Sequence, residues 1–234
     1  MIDSLELKNL SLRVGAGVDL FQNIQALLPT QKIVWVRGSS GSGKSTFLKV
    51  LAGLISAQGE YLINGQNILQ NSFEEFLPLR KKIGYSFDFG GLLSNRTIIE
   101  NLTLPLMYHE NLSLLEAEQR LHDLLSDFQI LPYKNLRPSA VVGGVRKSTC
   151  VARAFVMNPE MLLLDDPTTG LRAEVKAALQ KRILNLKKSE NKKSIFIVTE
   201  DKSFVADLFD VVLTIENCNI VISSADEWRV RNAG

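Results

Sequence analysis

The residues Gly38-Ser39-Ser40-Gly41-Ser42-Gly43-Lys44-Ser45 carry the pattern G-x-x-x-x-G-K-[ST]. A loop with this spacing can wrap phosphate groups. Its glycines let the backbone come close to phosphate oxygens. A helix opening at its end presents free N–H groups and a favourable dipole to the anion. Lys44 would reach the β- and γ-phosphates, and the Ser45 hydroxyl would ligate Mg²⁺. Thr46 follows in the first turn of that helix and completes the candidate nucleotide-binding set. A dinucleotide fingerprint fits less well, because only Gly41 and Gly43 match the G-x-G-x-x-G spacing. A second constellation is Leu162-Leu163-Leu164-Asp165-Asp166, an apolar run ending in two carboxylates. Downstream of a phosphate loop, Asp165 would hold Mg²⁺ directly or through water. Asp166 lies where a weak general base could orient the attacking water. Asp-Asp-Pro alone is as easily a turn or a helix start, so the upstream loop gives the pair its meaning.

These groups need strands and helices to position them. Ile33-Val34-Trp35-Val36, just before the loop, is a short apolar run suited to a buried strand. Thr46-Phe47-Leu48-Lys49-Val50-Leu51, just after it, suits the helix. Leu5-Glu6-Leu7 and Leu10-Ser11-Leu12 alternate as strands do, and Tyr61-Leu62-Ile63 precedes the tight-turn signal Asn64-Gly65. Ser113-Leu114-Leu115-Glu116 reads as a capping box opening a helix. Leu121, Leu124, Leu125 and Phe128 then form one apolar face. Met161–Leu164 predicts a strand, Ala173–Lys188 a helix and Ser194–Thr199 a further strand. Val211–Ser223 predicts a hairpin turning at Glu216-Asn217. This alternation predicts an α/β fold with a mostly parallel sheet, and with the phosphate loop the core resembles the RecA-like type. An antiparallel β subdomain and a helical lobe over residues 94–147 complete it, within a single domain over 1–234.

Composition excludes several classes. The chain has 234 residues, 45% hydrophobic and 22% charged, with a net charge of +2. That balance predicts no nucleic-acid partner. The basic run Lys187-Lys188 to Lys192-Lys193 is interrupted by Glu190 and Asn191 and reads as a solvated helix end. No apolar stretch is long enough to span a bilayer, and the N-terminus lacks signal-peptide features. Cys150 and Cys218 have no metal-ligand spacing and read as reduced thiols. His109 and His122 likewise have no partner at metal spacing.

In order and spacing, these residues resemble the ABC (ATP-binding cassette) ATPases. Gly143-Gly144 with Arg146-Lys147 and Val151-Ala152-Arg153-Ala154 resembles the family signature and its helix. Asp165 to Leu171 resembles Walker B running into the D-loop, and the segment from Ile83 to Leu102 resembles the Q-loop region. The resemblance implies MgATP held between the phosphate loop of one cassette and the signature of another. It therefore implies a second ABC subunit, as a homodimer or as a heterodimer with a competent ATPase. Membrane permease subunits would be moved by that pair, with the chain peripheral on the cytoplasmic face of the inner membrane. The stretch Glu100-Asn101-Leu102-Thr103-Leu104-Pro105-Leu106 is most similar to small bacterial ATPases of lipid-trafficking, lipoprotein-release and cell-division systems.

The sequence also departs from the family pattern. Asp88 stands at the Q-loop Gln position, Asp166 at the catalytic Glu, Glu200 at the switch His and Arg172 at the D-loop acid. The signature reads Val141-Val142-Gly143-Gly144-Val145, and no aromatic stands near Val14 to stack on adenine. Asp166 is one methylene short, and a misplacement of about 1 Å can cost roughly 100-fold in rate. Val142 offers no hydroxyl to an opposing γ-phosphate, where a charged hydrogen bond contributes about 1.5–3 kcal/mol. Asp88, Asp165, Asp166 and Glu200 would crowd one phosphate site unless Mg²⁺ or Arg172 compensates. The expectation is a chain that binds MgATP and hydrolyses it weakly or only with a partner. The competing expectation is a non-catalytic structural or regulatory subunit paired with a competent ATPase.

Overall fold

A computed structural model describes residues 1–15, 17–88, 90–190 and 192–231. Asn191, within the basic run, lies outside the described residues. The chain opens with β1 (Leu5–Val14) and β2 (Val18–Leu28), which pair antiparallel. The two short strands expected at Leu5–Leu7 and Leu10–Leu12 are one strand. Buried positions change phase between Leu7 and Leu10, where the register shifts and Asn9 turns to φ +50°. That is the signature of a bulge. β3 (Ile33–Gly38) leads through the phosphate loop into α1 (Lys44–Leu51). β4 (Gln58–Ile63) and β5 (Gln66–Asn67) flank Asn64-Gly65. Both turn residues have positive φ, as a tight hairpin requires.

The chain continues through α2 (Phe73–Arg80) and β6 (Ile83–Ser86) to α3 (Ile98–Glu110), α4 (Leu114–Arg120) and α5 (His122–Asp127). The capping box at Ser113 and Glu116 is formed. The helix expected behind it is broken at Leu121, whose φ −92° and ψ 0° leave the helical region. Its apolar face survives the break, since Leu121, Leu124, Leu125 and Phe128 are all buried. α6 (Gly143–Arg153) begins inside the expected helical segment and outruns it. The remainder alternates: β7 (Met161–Asp165), α7 (Ala173–Lys188), β8 (Ser194–Val198), α8 (Lys202–Val205), β9 (Val211–Glu216), β10 (Asn219–Ser224) and α9 (Ala225–Arg231). The last hairpin turns on Asn217-Cys218, one residue later than expected, and both have positive φ.

β10, β9, β3, β8, β7 and β6 form a six-stranded sheet in that order, parallel except at the β9–β10 edge. β2, β1, β4 and β5 form a separate antiparallel sheet. Side chains of the central strands alternate between two cores. Ile33 and Trp35 pack on the side of α3, α6 and α7, while Val34 and Val36 pack on the side of α1 and the antiparallel sheet. The ends of β3, β7 and β8 therefore stand side by side, where ligands bind in open parallel sheets. Trp228 packs back edge-on against Trp35 at 5.1 Å.

Candidate functional site

The phosphate loop joins β3 to α1 at this sheet edge. Gly38 has φ +157°, and a Cβ there would lie 2.5 Å from both the Ile215 carbonyl and Ser42 Oγ. Gly43, at φ +94°, is the residue that starts α1. The glycines thus fold the loop tightly before the helix begins. Phe47, Leu48, Val50 and Leu51 bury the inner face of α1, which fixes the loop to the sheet. Lys44 Nζ turns back and donates to the carbonyls of Gly38 at 2.7 Å and Ser39 at 3.0 Å. The Ser42 hydroxyl is buried in the loop without a protein partner. Ser39, Ser40 and Gly41 are exposed, and Thr46 is half-buried. Val14 ends β1 opposite Val18, so aliphatic groups stand where the resemblance expected an aromatic.

At the end of β7, Asp165 is buried, and Ser45 Oγ donates to its Oδ1 at 2.8 Å. Tyr85 donates its hydroxyl to the other oxygen at 3.3 Å. Burial pushes the Asp165 carboxyl up from its ordinary value. The charge of Asp88 adds to the rise, against the two hydrogen bonds and Lys49. The Tyr85 hydroxyl is raised too, by burial first and then by Asp165. A hydroxyl and a carboxylate together are hard oxygen donors of the kind Mg²⁺ takes. The orphaned Ser42 hydroxyl suits an anion's oxygen. The donor set therefore fits a magnesium nucleotide.

The expected crowding of carboxylates is real for Asp88 beside Asp165. The compensation, however, does not come from Arg172. That residue starts α7 and lines a recess with Val142 and Gly144. Asp88 pairs instead with Lys147, whose Nζ donates to the Asp88 carbonyl at 2.7 Å and approaches Oδ1 at 3.3 Å. Lys147 is only 9% exposed and sits on α6. One face of α6 continues the grip. Cys150 Sγ donates to the Gly90 carbonyl at 3.1 Å, and Arg153 donates to that of Gly91. Lys147, Cys150 and Arg153 thus fasten the signature-like helix to the loop after β6. A cavity of about 410 Å³ lies beside this contact, lined by Asp88, Gly143, Gly144 and Gly170.

Glu200 is the remaining acid on the phosphate loop itself. Its side chain is 86% exposed, yet Oε1 lies 3.3 Å from Lys44 Nζ. Asp166 turns to φ +40° and donates its backbone N–H to the Val198 carbonyl, while its Oδ1 accepts from Thr168 at 3.4 Å. Thr168 in turn shares a 2.8 Å hydrogen bond with Thr199. The structure thus brings together residues 38–46, Asp165 and Glu200, with Asp88 and Asp166 at their margin. Val142, Gly143 and Gly144 lie elsewhere, at the start of α6 with Val142 70% exposed. Tyr85 and Lys147 were missed as site residues. Both stood inside recognised segments, but nothing local linked either to its aspartate. Among the described residues no His/Cys/Asp/Glu cluster forms a separate metal site.

The family model for ABC transporters matches residues 21–169. The chain belongs to the ABC transporter family and carries its ATP-binding domain. It is 34% identical to a methionine import ATP-binding protein of Rhizobium johnstonii over 97% of this chain, and spans 62% of that relative's length. It is 29% identical to the intermembrane phospholipid transport ATP-binding protein of Haemophilus influenzae, over 95% of this chain and 84% of the relative. A probable sulfate/thiosulfate import ATP-binding protein of Chlorella vulgaris is 31% identical, over 96% of this chain and 92% of the relative. A dimeric ATP-binding cassette solved in a post-hydrolysis state with ADP and phosphate superposes with TM-score 0.85. It has 25% identity and covers 94% of this chain and 98% of its own. The α/β architecture, with its mostly parallel sheet, antiparallel sheet and helices, is the ABC ATPase fold.

Proposed function

We propose that this chain is an ATP-binding subunit of an ABC transporter that binds MgATP at residues 38–46 and couples it to movement of membrane permease subunits. The observation that carries this reading is the 2.8 Å bond from Ser45 to Asp165, 120 residues apart in the chain. It brings the two proposed magnesium ligands together beside Lys44. Bound magnesium would neutralise phosphate charge there. The chain's own residues orient the phosphates: the loop backbone surrounds them and Lys44 holds the β/γ end. The subunit works peripherally on the cytoplasmic face of the inner membrane. Among the described residues no helix is long and apolar enough to cross a bilayer. The cargo we propose is the lipid or lipoprotein read from the sequence. The phospholipid-transport relative supports the lipid reading, while the methionine and sulfate/thiosulfate import relatives give it no support.

Hydrolysis by the isolated chain is weak in this proposal. Asp166 is short for a general base, and its carboxylate is turned to Thr168. Val142, Gly143 and Gly144 meet the nucleotide of a second cassette, which is either a copy of this chain or a competent ATPase. The test is MgATP binding and steady-state ATPase of the purified chain, with Lys44→Ala as control. The variant should lose roughly ten- to hundredfold in affinity, since it removes a hydrogen bond between charged groups. Turnover should be negligible in both proteins. Brisk turnover that Lys44→Ala abolishes would show Asp166 to be a sufficient base. Equal binding by both proteins would remove the phosphate-loop reading.

A further inference from the structure

A lysine ammonium has three N–H donors and no acceptor. In Lys44 two donors are committed to the Gly38 and Ser39 carbonyls. The anion that meets the remaining positive charge is Glu200, at 3.3 Å. The two partners differ in freedom: the Lys44 side chain is 13% exposed and the Glu200 side chain 86%. The backbone on either side of Glu200 is held. Thr199 is bonded to Thr168 and accepts from the Asp201 N–H, while Asp201 accepts from Lys176 at 2.7 Å and from the Phe204 N–H. The carboxylate is therefore presented over the phosphate loop from a fixed base, on a side chain able to swing.

We infer that Glu200 caps the phosphate loop and makes the isolated site favour a nucleoside diphosphate over the triphosphate. The inference rests on the reading of residues 38–46 as a nucleotide site. Donor–acceptor contacts run to about 3 Å, so two anions on one ammonium stand within roughly 6 Å of each other. The β-phosphate of either nucleotide competes with Glu200 for Lys44. The γ-phosphate in addition brings charge into the space the carboxylate already occupies. Breaking an exposed ion pair costs both nucleotides at most about fivefold in affinity. Repulsion of the β-phosphate is common to both nucleotides, and that of the γ-phosphate falls on the triphosphate alone. Glu200 is thus a specificity-determining residue. It weakens the hold of Lys44 on the γ-phosphate, so that further groups, such as the signature of a second cassette, are needed to complete it.

The experiment is calorimetric titration of the full chain with MgADP and with the magnesium complex of a non-hydrolysable ATP analogue. The parent is compared with Glu200→Gln and with Glu200→His, at a pH where the imidazole is neutral. The parent should prefer MgADP, and both variants should narrow that preference by about threefold or more, the Coulomb repulsion of two unit charges roughly 6 Å apart in water. Thermal melts should be unchanged, because the side chain is exposed. Triphosphate binding that appears only in the variants would support the capping role equally. Two nucleotides bound in the same ratio by all three proteins would overturn it and leave the nucleotide site standing. No binding by any of them, or binding unaffected by Lys44→Ala, would overturn the nucleotide site and the inference with it.

Discussion

Burial raises the Asp165 carboxyl, and the nearby charge of Asp88 raises it further. A carboxyl raised in the folded state favours folding while protonated, and that contribution is lost as pH rises through its folded value. At neutral pH the ionised group therefore opposes folding of the nucleotide-free chain. Asp165→Asn keeps an acceptor for Ser45 and removes the charge. Urea unfolding should show the variant more stable than the parent at neutral pH, with the gap closing as pH is lowered. Magnesium-dependent nucleotide affinity should fall by roughly tenfold or more, as expected when a charged ligand is lost. A variant less stable than the parent at neutral pH would show that burial does not burden this site. Lys44, Ser45 and Asp165 were legible in the sequence because their chemistry is written in local spacing. Tyr85 and Lys147 were not, because they meet their aspartates from 80 and 59 residues away. Only the β6–β7 pairing and the packing of α6 bring them there.

The elements that carry these residues were legible where a local rule governs them. The Asn64-Gly65 turn, the Ser113 capping box and the Ala173–Lys188 helix are examples. The bulge at Asn9 was visible as a phase change in the alternation, but the strand is continuous because β2 and β4 pair along both its sides. Further capping boxes, Ser72 with Glu75, Thr97 with Glu100 and Ser224 with Glu227, start α2, α3 and α9 and carried the same legible signal. The short α8 depends on one residue. Asp201 caps it at the Phe204 N–H and ties it to α7 through Lys176. The Lys176 hydrogen bond, then Ser203, holds the Asp201 carboxyl down to about 2. An unfolded aspartate titrates near ~3.9. The stabilisation is therefore present above that value and lost as pH falls from about 4 toward 2. Asp201→Ala should cost about 1 kcal/mol at neutral pH, the usual value of a helix cap. The cost should shrink in that acid window when urea midpoints of parent and variant are compared. A cost independent of pH there would mean that the ion pair contributes nothing.

At the scale of the molecule, the proposed assembly places the start of α6 against the nucleotide of a second cassette. Val142 is the residue before that helix, 70% exposed and with no side-chain cap. Valine is among the poorest helix N-caps and serine among the best. Val142→Ser should therefore stabilise the isolated chain by about 1 kcal/mol, through a hydroxyl that accepts from an early backbone N–H of α6. The same hydroxyl would face the γ-phosphate bound by the other subunit, adding a charged hydrogen bond worth about 1.5–3 kcal/mol. The two effects separate by experiment. Unfolding of the chain without nucleotide reports the cap alone. MgATP-dependent dimerisation, followed by size-exclusion chromatography, reports both and should strengthen by more than the cap explains. In a mixed pair the gain belongs to the site whose phosphate loop comes from the other subunit. Lys44→Ala in the chain carrying Val142→Ser should then leave that gain intact, whereas Lys44→Ala in a self-paired chain should abolish it. If Val142→Ser raises stability while dimerisation stays unchanged, the start of α6 does not face a nucleotide, and the head-to-tail arrangement fails for this protein.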